Sequence, residues 1–380
     1  MTQNFAQCFP TLKDKKQLFK TMVSKKIGSD IMTFISGYEF VVENKSGIIS
    51  TFYLNTQRHI EYITSDEKRR WKEKGLVFNQ ATEKFHLDID SNDNIHIISY
   101  SKNGCLYYHQ YLDEAWINHL IFHYPTEQRI VYPLIKYINN QIHIFYYLLH
   151  NESRDKAHLL HLKFYDSKYS TNHIITVNNH EYINPFKVFV NGDDIILLYT
   201  SIIEGHEQVL ISKFNISTEK CSDPLSITTS KDKKVYLDAL QYDTKMLHLI
   251  WSKFDEEYLA VQYLKLDIDT MTTDKSKPVS LSAKSSCSFP TLVYYKKILW
   301  AIWTEMEKIV SCYSADMGKN WSGPYIHEDT KRIDFKRYRY LTSPTDNKEG
   351  ILCDFVFGTP YPNIQFLGFG GENDDEIPAK

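Results

Sequence analysis

The chain has 380 residues, 42% of them hydrophobic, with a mean hydropathy of -0.40, which is enough apolar material for a sizeable core in a soluble protein. The 47 acidic and 44 basic residues nearly balance, giving a formal net charge of -3 and no basic excess of the kind that binds nucleic acid. No stretch approaches the roughly 18 uninterrupted apolar residues of a membrane span. We therefore predict neither a nucleic-acid partner nor a membrane partner.

The beginning of the chain and its cysteines bear on compartment and cofactors. The residues after Met1 lack the apolar run of a secretory signal. The 6 cysteines are scattered, without the paired spacing of a metal site. The sequence therefore predicts reduced thiols, a cytoplasmic protein, no metal site and no cofactor.

A short pattern that recurs along the chain predicts the architecture. NIHIISY, QIHIFYY and MLHLIWS each place a histidine between aliphatic residues, and four further stretches fit the same frame without the histidine. Six of the seven carry an aromatic residue three positions after the anchor. The anchors follow one another at intervals of 46 to 53 residues: Ser50, His96, His143, Ile196, His248, Trp300 and Leu352.

The surroundings of each anchor are typical of β-strands. Runs of Val, Ile, Leu, Tyr and Phe alternate with turns rich in Asn, Asp, Gly and Lys, about four runs in each repeat. Four short strands in every 46–53 residues indicate a propeller blade, because stacking such sheets radially covers the faces that one sheet alone leaves exposed. We predict an all-β fold, a seven-bladed β-propeller of four-stranded antiparallel blades.

The predicted domain boundaries follow from the last repeat, which supplies only three strands. We predict that residues 1–35 form an N-terminal segment that contributes the closing outer strand, from the stretch around Phe19 to Phe34. Residues 36–370 then form the propeller, and 371–380 form a flexible acidic tail.

One decapeptide, SADMGKNWSG, matches a known pattern. Ser314, Asp316, Gly318 and Trp321 occupy all four fixed positions of the Asp box, S-x-D-x-G-x-x-W, between the third and fourth predicted strands of the sixth repeat. The chain therefore resembles the Asp-box (BNR-repeat) β-propellers of the sialidase-like superfamily. The residue types suit a hairpin lock, with oxygens bonding backbone N–H groups, a glycine at positive φ and a packed tryptophan. The resemblance implies that Asp316 is structural and not a catalytic acid.

The resemblance also raises the question of enzymatic activity. Sialidases resemble one another in a trio of arginines that grip the substrate carboxylate, and this chain has no arginine between Arg154 and Arg332. We therefore predict no sialidase activity. Another glycosidase would need two converging carboxylates. That option stays open for four acidic residues on or near predicted first strands. We favour a role for them as polar residues of turns or of the channel lining: Glu39, Asp88, Asp90 and Asp238.

The recurring histidines suggest a metal site only at first sight. His96, His143 and His248 hold equivalent positions in different repeats, so they are spread around the ring and cannot share an ion. We predict that they are hydrogen-bonded and packed between blades.

The turns between second and third strands differ in charge along the chain. In the fourth to sixth repeats they are mostly acidic, which predicts an acidic binding face. We predict a non-catalytic propeller that acts as a protein-interaction or recognition module for a protein or glycan partner, with a carbohydrate-active propeller, either a glycan binder or a diverged glycoside hydrolase, as the alternative. The predicted face comprises Glu204, Glu207, Asp255, Glu256, Glu257, Glu305 and Glu307.

Overall fold

A computed structural model of the protein describes residues 39–151, 153–166, 168–179, 183–255, 257–273, 277–343 and 350–370. Within these ranges the chain forms thirty β-strands and one short 3-10 helix. The first three repeats contain β1 Phe40–Glu43, β2 Ile49–Leu54, β3 Ile60–Ser65, β4 Trp71–Phe78, β5 Thr82–Ile89, β6 Ile95–Ser101, β7 Cys105–Leu112, β8 Ala115–His123, β9 Gln128–Ile138, β10 Gln141–His150, β11 Ser153–Tyr165 and β12 Lys168–Asn178.

The later repeats have shorter outer strands. They contain β13 Lys187–Asn191, β14 Asp194–Ile203, β15 His206–Asn215, β16 Lys220–Cys221, β17 Leu225–Ser226, β18 Lys233–Gln241, β19 Met246–Phe254, β20 Leu259–Asp267, β21 Thr272–Thr273, β22 Val279–Ser280, β23 Ser288–Tyr295, β24 Ile298–Glu305, β25 Lys308–Ser314, β26 Tyr325–His327, the 3-10 helix Glu328–Arg332, β27 Lys336–Thr342, β28 Leu352–Cys353, β29 Phe355–Gly358 and β30 Phe366–Leu367.

Tight turns join the strands because the sequence supplies residues that tolerate positive φ. Asn139 and Asn140 link β9 to β10 with φ of 49° and 59°. Asparagine accepts this left-handed conformation more readily than most residues. Glu204 and Gly205, with φ of 50° and 80°, make a two-residue link between the second and third strands of the fourth repeat, β14 and β15. The chain thus reverses in two residues and keeps successive strands antiparallel.

The described strands form six hydrogen-bonded sheets, and the anchor stretches predicted from the repeat lie in second strands. Four sheets hold one repeat each in the order first to fourth strand, as in β5-β6-β7-β8. The fifth adds β28 beside β23, and the sixth joins strands of the first and last repeats. The predicted all-β architecture of multiple four-stranded antiparallel sheets is confirmed.

The first strands lie side by side and run in the same direction around a common axis. β1 pairs with β27 in parallel, with Phe40 opposite Arg339. Between the second and third repeats, the backbone N–H of Ile135 donates a hydrogen bond to the His86 ring, and that of Tyr137 donates one to the Asp88 carboxylate. Both bonds join residues 49 positions apart, and only parallel strands give such a constant offset. We call the end of the axis where the first strands begin the starting end, and the opposite end the finishing end.

The last repeat departs from the regular pattern. Its second strand is split: β28 pairs with β23 of the sixth repeat, and β29 pairs with β27. Asp354 lies at the crossing between the two pairings. The last repeat therefore shares a sheet with the first, and seven separate blades are not confirmed. The predicted closing strand around Phe19 to Phe34 lies outside the described residues.

The core is made of apolar clusters between neighbouring sheets. Trp251 packs with Leu198 and Leu249 across the fourth and fifth repeats. Trp303 packs with Tyr263 and other side chains across the fifth and sixth. Because each sheet is covered by its neighbours on both faces, these second-strand aromatic residues are almost fully buried.

Candidate functional site

A group of charged and aromatic side chains from several first strands meets near the axis, towards its starting end. We call this group the axial cluster. Its members come from six first strands and from the crossing at β28 and β29: Lys84, His86, Tyr132, Lys187, Tyr236, Asp238, Phe289, Arg337, Arg339, Asp354 and Phe355.

The most buried part of the axial cluster is an ion pair between neighbouring repeats. Lys187 on β13 places Nζ 2.5 Å from Oδ1 of Asp238 on β18, and both side chains are at most 4% exposed. The second oxygen of Asp238 accepts hydrogen bonds from the Thr291 hydroxyl at 2.7 Å and from the Leu292 backbone N–H at 3.2 Å. A buried carboxylate with this many donors is well compensated for the loss of water.

Asp354 extends this pair across the axis. It accepts a hydrogen bond from Lys187, and its Oδ1 lies 3.3 Å from Nη1 of Arg339. Burial alone would raise the pKa of the Asp354 carboxyl, but the charges of Arg339 and Lys187 outweigh it and hold the pKa well below its usual range. The carboxylate therefore stays ionised and ties the crossing to β27 of its own repeat and to β13 of the fourth repeat.

His86 is the neutral member of the cluster. Burial first, and then the positive charge of Arg339, lower the pKa of His86 well below its usual value. Arg339 donates a hydrogen bond to Nε2 of the imidazole, which requires this nitrogen to be unprotonated. Around neutral pH the ring is therefore an acceptor for the guanidinium and adds no charge.

Phe355 presents an aromatic ring to three cations. The guanidinium carbon of Arg337 lies 3.7 Å from the ring centroid, that of Arg339 lies at 4.8 Å, and Nζ of Lys187 lies at 4.7 Å. Such contacts hold cations over the electron-rich ring face. They fix the directions of long side chains that would otherwise lose much entropy on binding a ligand.

Three aromatic residues occupy strained backbone positions at the starting end. Tyr132, Tyr236 and Phe289 have φ of 52°, 58° and 54°, which is rare for bulky side chains. Each lies where the pairing of its first strand with the second strand shifts register. Such bulges redirect side chains and are over-represented beside functional sites.

The redirected rings make contacts along the axis. Tyr236 and Phe289 lie with ring centroids 4.4 Å apart. Nζ of Lys84 lies 5.1 Å from the centroid of Tyr132, whose hydroxyl donates to the Ile183 carbonyl at 2.9 Å. The three rings are half-buried, so part of each faces solvent. Together they offer aromatic surface beside the cations.

Lys84 carries a charge that changes near neutral pH. Its side chain is buried on β5 at 3% exposure. Burial lowers the pKa of Lys84 to about 7, and the positive charges of Arg129 and Arg58 act in the same direction, against the opposing effect of Glu83. The charge carried by Lys84 thus depends on pH in the physiological range.

Some residues of the predicted acidic face contact neighbouring side chains, and others are exposed to solvent. Glu207 lies within β15, where burial raises its carboxyl pKa and Asn184 donates to it at 3.1 Å. Asp255 forms a 2.7 Å ion pair with Lys284, and Glu305 lies 3.6 Å from the sulfur of Cys287. On these turns Glu204, Glu257 and Glu307 are exposed. Glu256 lies outside the described residues.

The decapeptide with the Asp-box pattern forms the turn between β25 and β26. The Ser314 hydroxyl accepts a hydrogen bond from the Gly318 N–H at 2.8 Å, and Oδ1 of Asp316 accepts one from the Asn320 N–H at 2.8 Å. Gly318 has φ of 83°, and the ring of Trp321 lies 4.8 Å from that of Tyr263 in the preceding repeat. Asp316 thus bonds within its own turn.

The recurring histidines each bond within their own sheet. His96 Nδ1 lies 2.7 Å from the Tyr108 hydroxyl, and His248 Nδ1 lies 2.6 Å from that of Tyr263. His143 Nδ1 lies 2.9 Å from Nε2 of His161. Among the described residues no three His, Cys, Asp or Glu side chains converge as a metal site would require.

The predicted carboxylates separate along the axis. Asp238 belongs to the axial cluster, whereas Asp88 pairs with Lys136 at 3.1 Å nearer the finishing end. Asp90 accepts hydrogen bonds within its own turn, and Glu39 pairs with Lys336 at 2.6 Å. None of these contacts joins Asp238 to another of the predicted acids.

Sequence reasoning missed the cations of the axial cluster. Their signal is a charged residue within an otherwise apolar or aromatic first strand, as in NPFKVFV around Lys187 and KRYRYLT around Arg337 and Arg339. A lysine or arginine at such a position must find a partner in the interior or reach a cavity. In the part of the chain that the structure describes, no helix is long and apolar enough to cross a membrane.

The chain matches no protein-family model, and no curated protein matches it. Solved structures do match. An ulvan lyase of polysaccharide lyase family PL25, described as bound to -[GlcA(1-4)Rha3S]-, aligns with a TM-score of 0.58 at 10% identity, over 88% of this chain and 92% of that one. A second PL25 ulvan lyase structure gives a TM-score of 0.55 at 11% identity, with the same coverage of both chains.

Weaker similarity extends to a lectin. The Aleuria aurantia lectin, in complex with Fucalpha1-6GlcNAc, aligns with a TM-score of 0.45 at 8% identity over 76% of this chain and 95% of that one. At such identities the similarity shows the fold alone. The fold is that of a β-propeller.

Proposed function

We propose that this propeller is a carbohydrate-active protein that binds an acidic saccharide at the axial cluster. The observation that carries the proposal is the concentration of cations beside aromatic rings near the axis. Lys187, Arg337 and Arg339 lie around the ring of Phe355, and Lys84 lies over the ring of Tyr132. A carboxylate or sulfate on a ligand would be attracted to these cations.

The aromatic rings supply the second half of the argument. Saccharide rings present flat C–H faces that pack against aromatic side chains, while their hydroxyl groups need hydrogen bonds at the rim. Tyr132, Tyr236 and Phe289 are half-buried at the starting end, and their bulges hold them in strained backbone positions. Strain of about 1–3 kcal/mol per residue persists where the surrounding structure enforces it, often at binding sites.

The fold similarity agrees with this class of ligand. The ulvan lyase of the matched structure is described as bound to a saccharide with GlcA, and we propose a ligand with uronate or sulfate groups for this chain as well. The proposal is binding. No step of bond cleavage is assigned to any residue.

The test is isothermal titration calorimetry with ulvan, polygalacturonate and dextran. We expect the two acidic polymers to bind, dextran not to bind, and added salt to weaken binding because the attraction is ionic. Arg337→Gln should lower affinity about 10- to 100-fold, since a charged hydrogen bond contributes about 1.5–3 kcal/mol. The control Arg332→Gln changes an exposed arginine of the 3-10 helix and should leave affinity unchanged. Equal binding of dextran, or full affinity in Arg337→Gln, would contradict the proposal.

A second candidate is recognition of a protein partner by the acidic turns. It is favoured by the exposure of Glu204, Glu257 and Glu307 on equivalent turns of three successive repeats. A basic partner would be attracted to such turns. Reversing these three charges to lysine should abolish capture of that partner while leaving saccharide binding intact.

We also propose that the Asp-box turn has a structural role. The carboxylate of Asp316 is held at a pKa of about 2 by hydrogen bonds from Asn320, with a further contribution from Ser314. An ionised aspartate that is bonded within its own turn is a poor proton donor. This assignment agrees with the binding site lying elsewhere, at the axial cluster.

A further inference from the structure

A cavity of about 460 Å³ opens at the finishing end of the axis, away from the rings at the starting end. It is formed where the first strands of the second, third, fourth and last repeats end, together with the stretch that contains β28. Its volume falls in the range of roughly 300–1,000 Å³ that is common for ligand sites. The axial cluster does not account for it, because among that cluster's members none lines this space.

One side of the cavity carries polar groups of mixed kind. Nζ of Lys136 and Oδ1 of Asp88 pair at 3.1 Å, and the lysine side chain remains 26% exposed. The amide of Asn140 and the hydroxyl of Thr342 are also exposed on the lining. An ammonium, a carboxylate, an amide and a hydroxyl together offer donors and acceptors to a ligand with several hydroxyl groups.

The other side is apolar. Tyr137 lines the cavity and stacks its ring on His96 with centroids 4.3 Å apart, which fixes the ring plane. Val190 and Leu352 lie on the lining and are each 39% exposed. The cavity therefore combines a fixed aromatic plane and aliphatic surface with polar groups opposite.

The charged side chains that line the cavity disfavour an anionic ligand. Lys136 is already paired with Asp88, and the second lining carboxylate, Asp90, accepts hydrogen bonds from the N–H groups of Asn92 and Asn94 at 2.8 Å and 2.9 Å. Among the lining side chains one ammonium stands against two carboxylates, which favours a neutral ligand over uronates and sulfates.

We propose that this cavity is a second saccharide site, specific for an uncharged pyranose unit. The inference rests on the proposed function only for the chemical class of the ligand. An uncharged sugar matches the three features of the cavity: its hydroxyl groups fit the mixed donors and acceptors, its C–H face fits the apolar side, and it avoids repulsion by the carboxylates. The two ends of the axis would thus bind different units, an acidic one and a neutral one.

The experiment is saturation-transfer NMR and calorimetry with glucose, galactose, mannose, N-acetylglucosamine and glucuronate. We expect at least one neutral sugar to bind more tightly than glucuronate. Thr342→Trp places a large ring on the lining and should weaken that binding about tenfold or more. Asn140→Gly removes the amide but keeps a residue that tolerates the φ of 59°, and should weaken binding severalfold.

The matched control is Thr244→Trp, an exposed threonine on the turn between β18 and β19 that does not line the cavity. It should leave sugar binding unchanged. Failure of every neutral sugar to bind, tighter binding of glucuronate, or unchanged affinity in Thr342→Trp would overturn the inference. Ulvan binding is measured on the same samples. If the wild-type protein does not bind ulvan, the proposed function fails. If it binds ulvan but no neutral sugar, only the second site fails.

Discussion

The two ends of the axis share the first strands β5, β9, β13 and β27 but differ in burial and charge. At the starting end, Lys187 and Asp238 are almost fully buried, and bulges turn aromatic rings beside them. At the finishing end, Lys136 and Asp88 also form a lysine–aspartate pair, yet Lys136 is 26% exposed beside an open cavity. The comparison shows that position along a repeated strand, and not the residue pair itself, decides what the pair does.

The difference has a physical origin in the ends of the strands. Regular pairing continues to the finishing end, where two-residue turns such as Asn139–Asn140 close the hairpins without disturbing the register. Towards the starting end, the extra residue of each bulge breaks the pairing and redirects a side chain. We infer that the starting end has exchanged regular pairing for a binding surface, whereas the finishing end retains a regular wall around its cavity.

The largest expected effect compares the two lysines directly. Lys187→Met leaves two carboxylates, Asp238 and Asp354, without their shared cation and should lower the free energy of unfolding by about 3–5 kcal/mol. Lys136→Met removes a partly exposed partner and should cost about 1 kcal/mol. Urea unfolding followed by tryptophan fluorescence measures both. Equal losses would show that the two ends do not differ in the way described.

The next effect tests a turn that belongs to neither site. Gly318→Ala places a Cβ 1.8 Å from the Tyr263 hydroxyl at a φ of 83°, so we expect a loss of about 1–3 kcal/mol in the free energy of unfolding. Gly323→Ala is the matched control, since its Cβ would meet no atom within 4 Å, and it should change stability by less than about 0.5 kcal/mol. Saccharide binding at either end should survive Gly318→Ala below its melting temperature. Lost binding in the folded variant would contradict a purely structural role.

The smallest effect is a pH dependence that only the starting end should show. Lys84 has a pKa of about 7, so raising the pH from 6 to 8 removes one positive charge and should weaken binding of an acidic polymer about two- to fivefold. His86 stays neutral over this range because its pKa is already lowered. Lys84→Met should flatten the pH profile in calorimetry. Neutral-sugar binding should not change between pH 6 and 8, and a parallel change there would refute the assignment to Lys84.

The same group predicts the sign of a stability change. In the unfolded chain Lys84 keeps its ordinary pKa of 10.5, whereas in the folded chain the pKa is about 7. Between these values the unfolded state binds more protons, so the contribution of Lys84 to the free energy of unfolding rises with pH from about 7 to about 10.5. Comparing wild type with Lys84→Met across this window isolates the contribution.

The repeat made much of the fold predictable, because a spacing of about fifty residues and period-two alternation are local properties of the sequence. The second strands and the turn that contains Asp316 lie where these patterns predict. The axial cluster was not predictable in this way. His86 and Arg339 bond across 253 positions, and no local pattern indicates which charged residues of distant strands will meet.

The split second strand of the last repeat could not be predicted from the sequence either. GILCDFV fits the frame of the other anchor stretches, yet its residues divide between two sheets at Asp354. A strand that pairs within its own repeat and one that divides between two sheets show the same alternation of side chains. The alternation reflects which side chains are buried and does not indicate which strand lies alongside. Only the positions of β23 and β27 decide where the chain crosses.

The parallel pairing of β1 with β27 has a consequence for how the chain folds. Phe40 and Arg339 are neighbours in space but lie almost three hundred residues apart, so this contact closes a very long loop. Hairpins within each repeat form from local contacts, whereas closing such a loop costs entropy that must be spent before the contact is made. We expect ring closure to be the late, rate-limiting event. Folding intermediates would then expose β1 and β27 as unpaired edges, so the ring would be most prone to aggregation just before it closes.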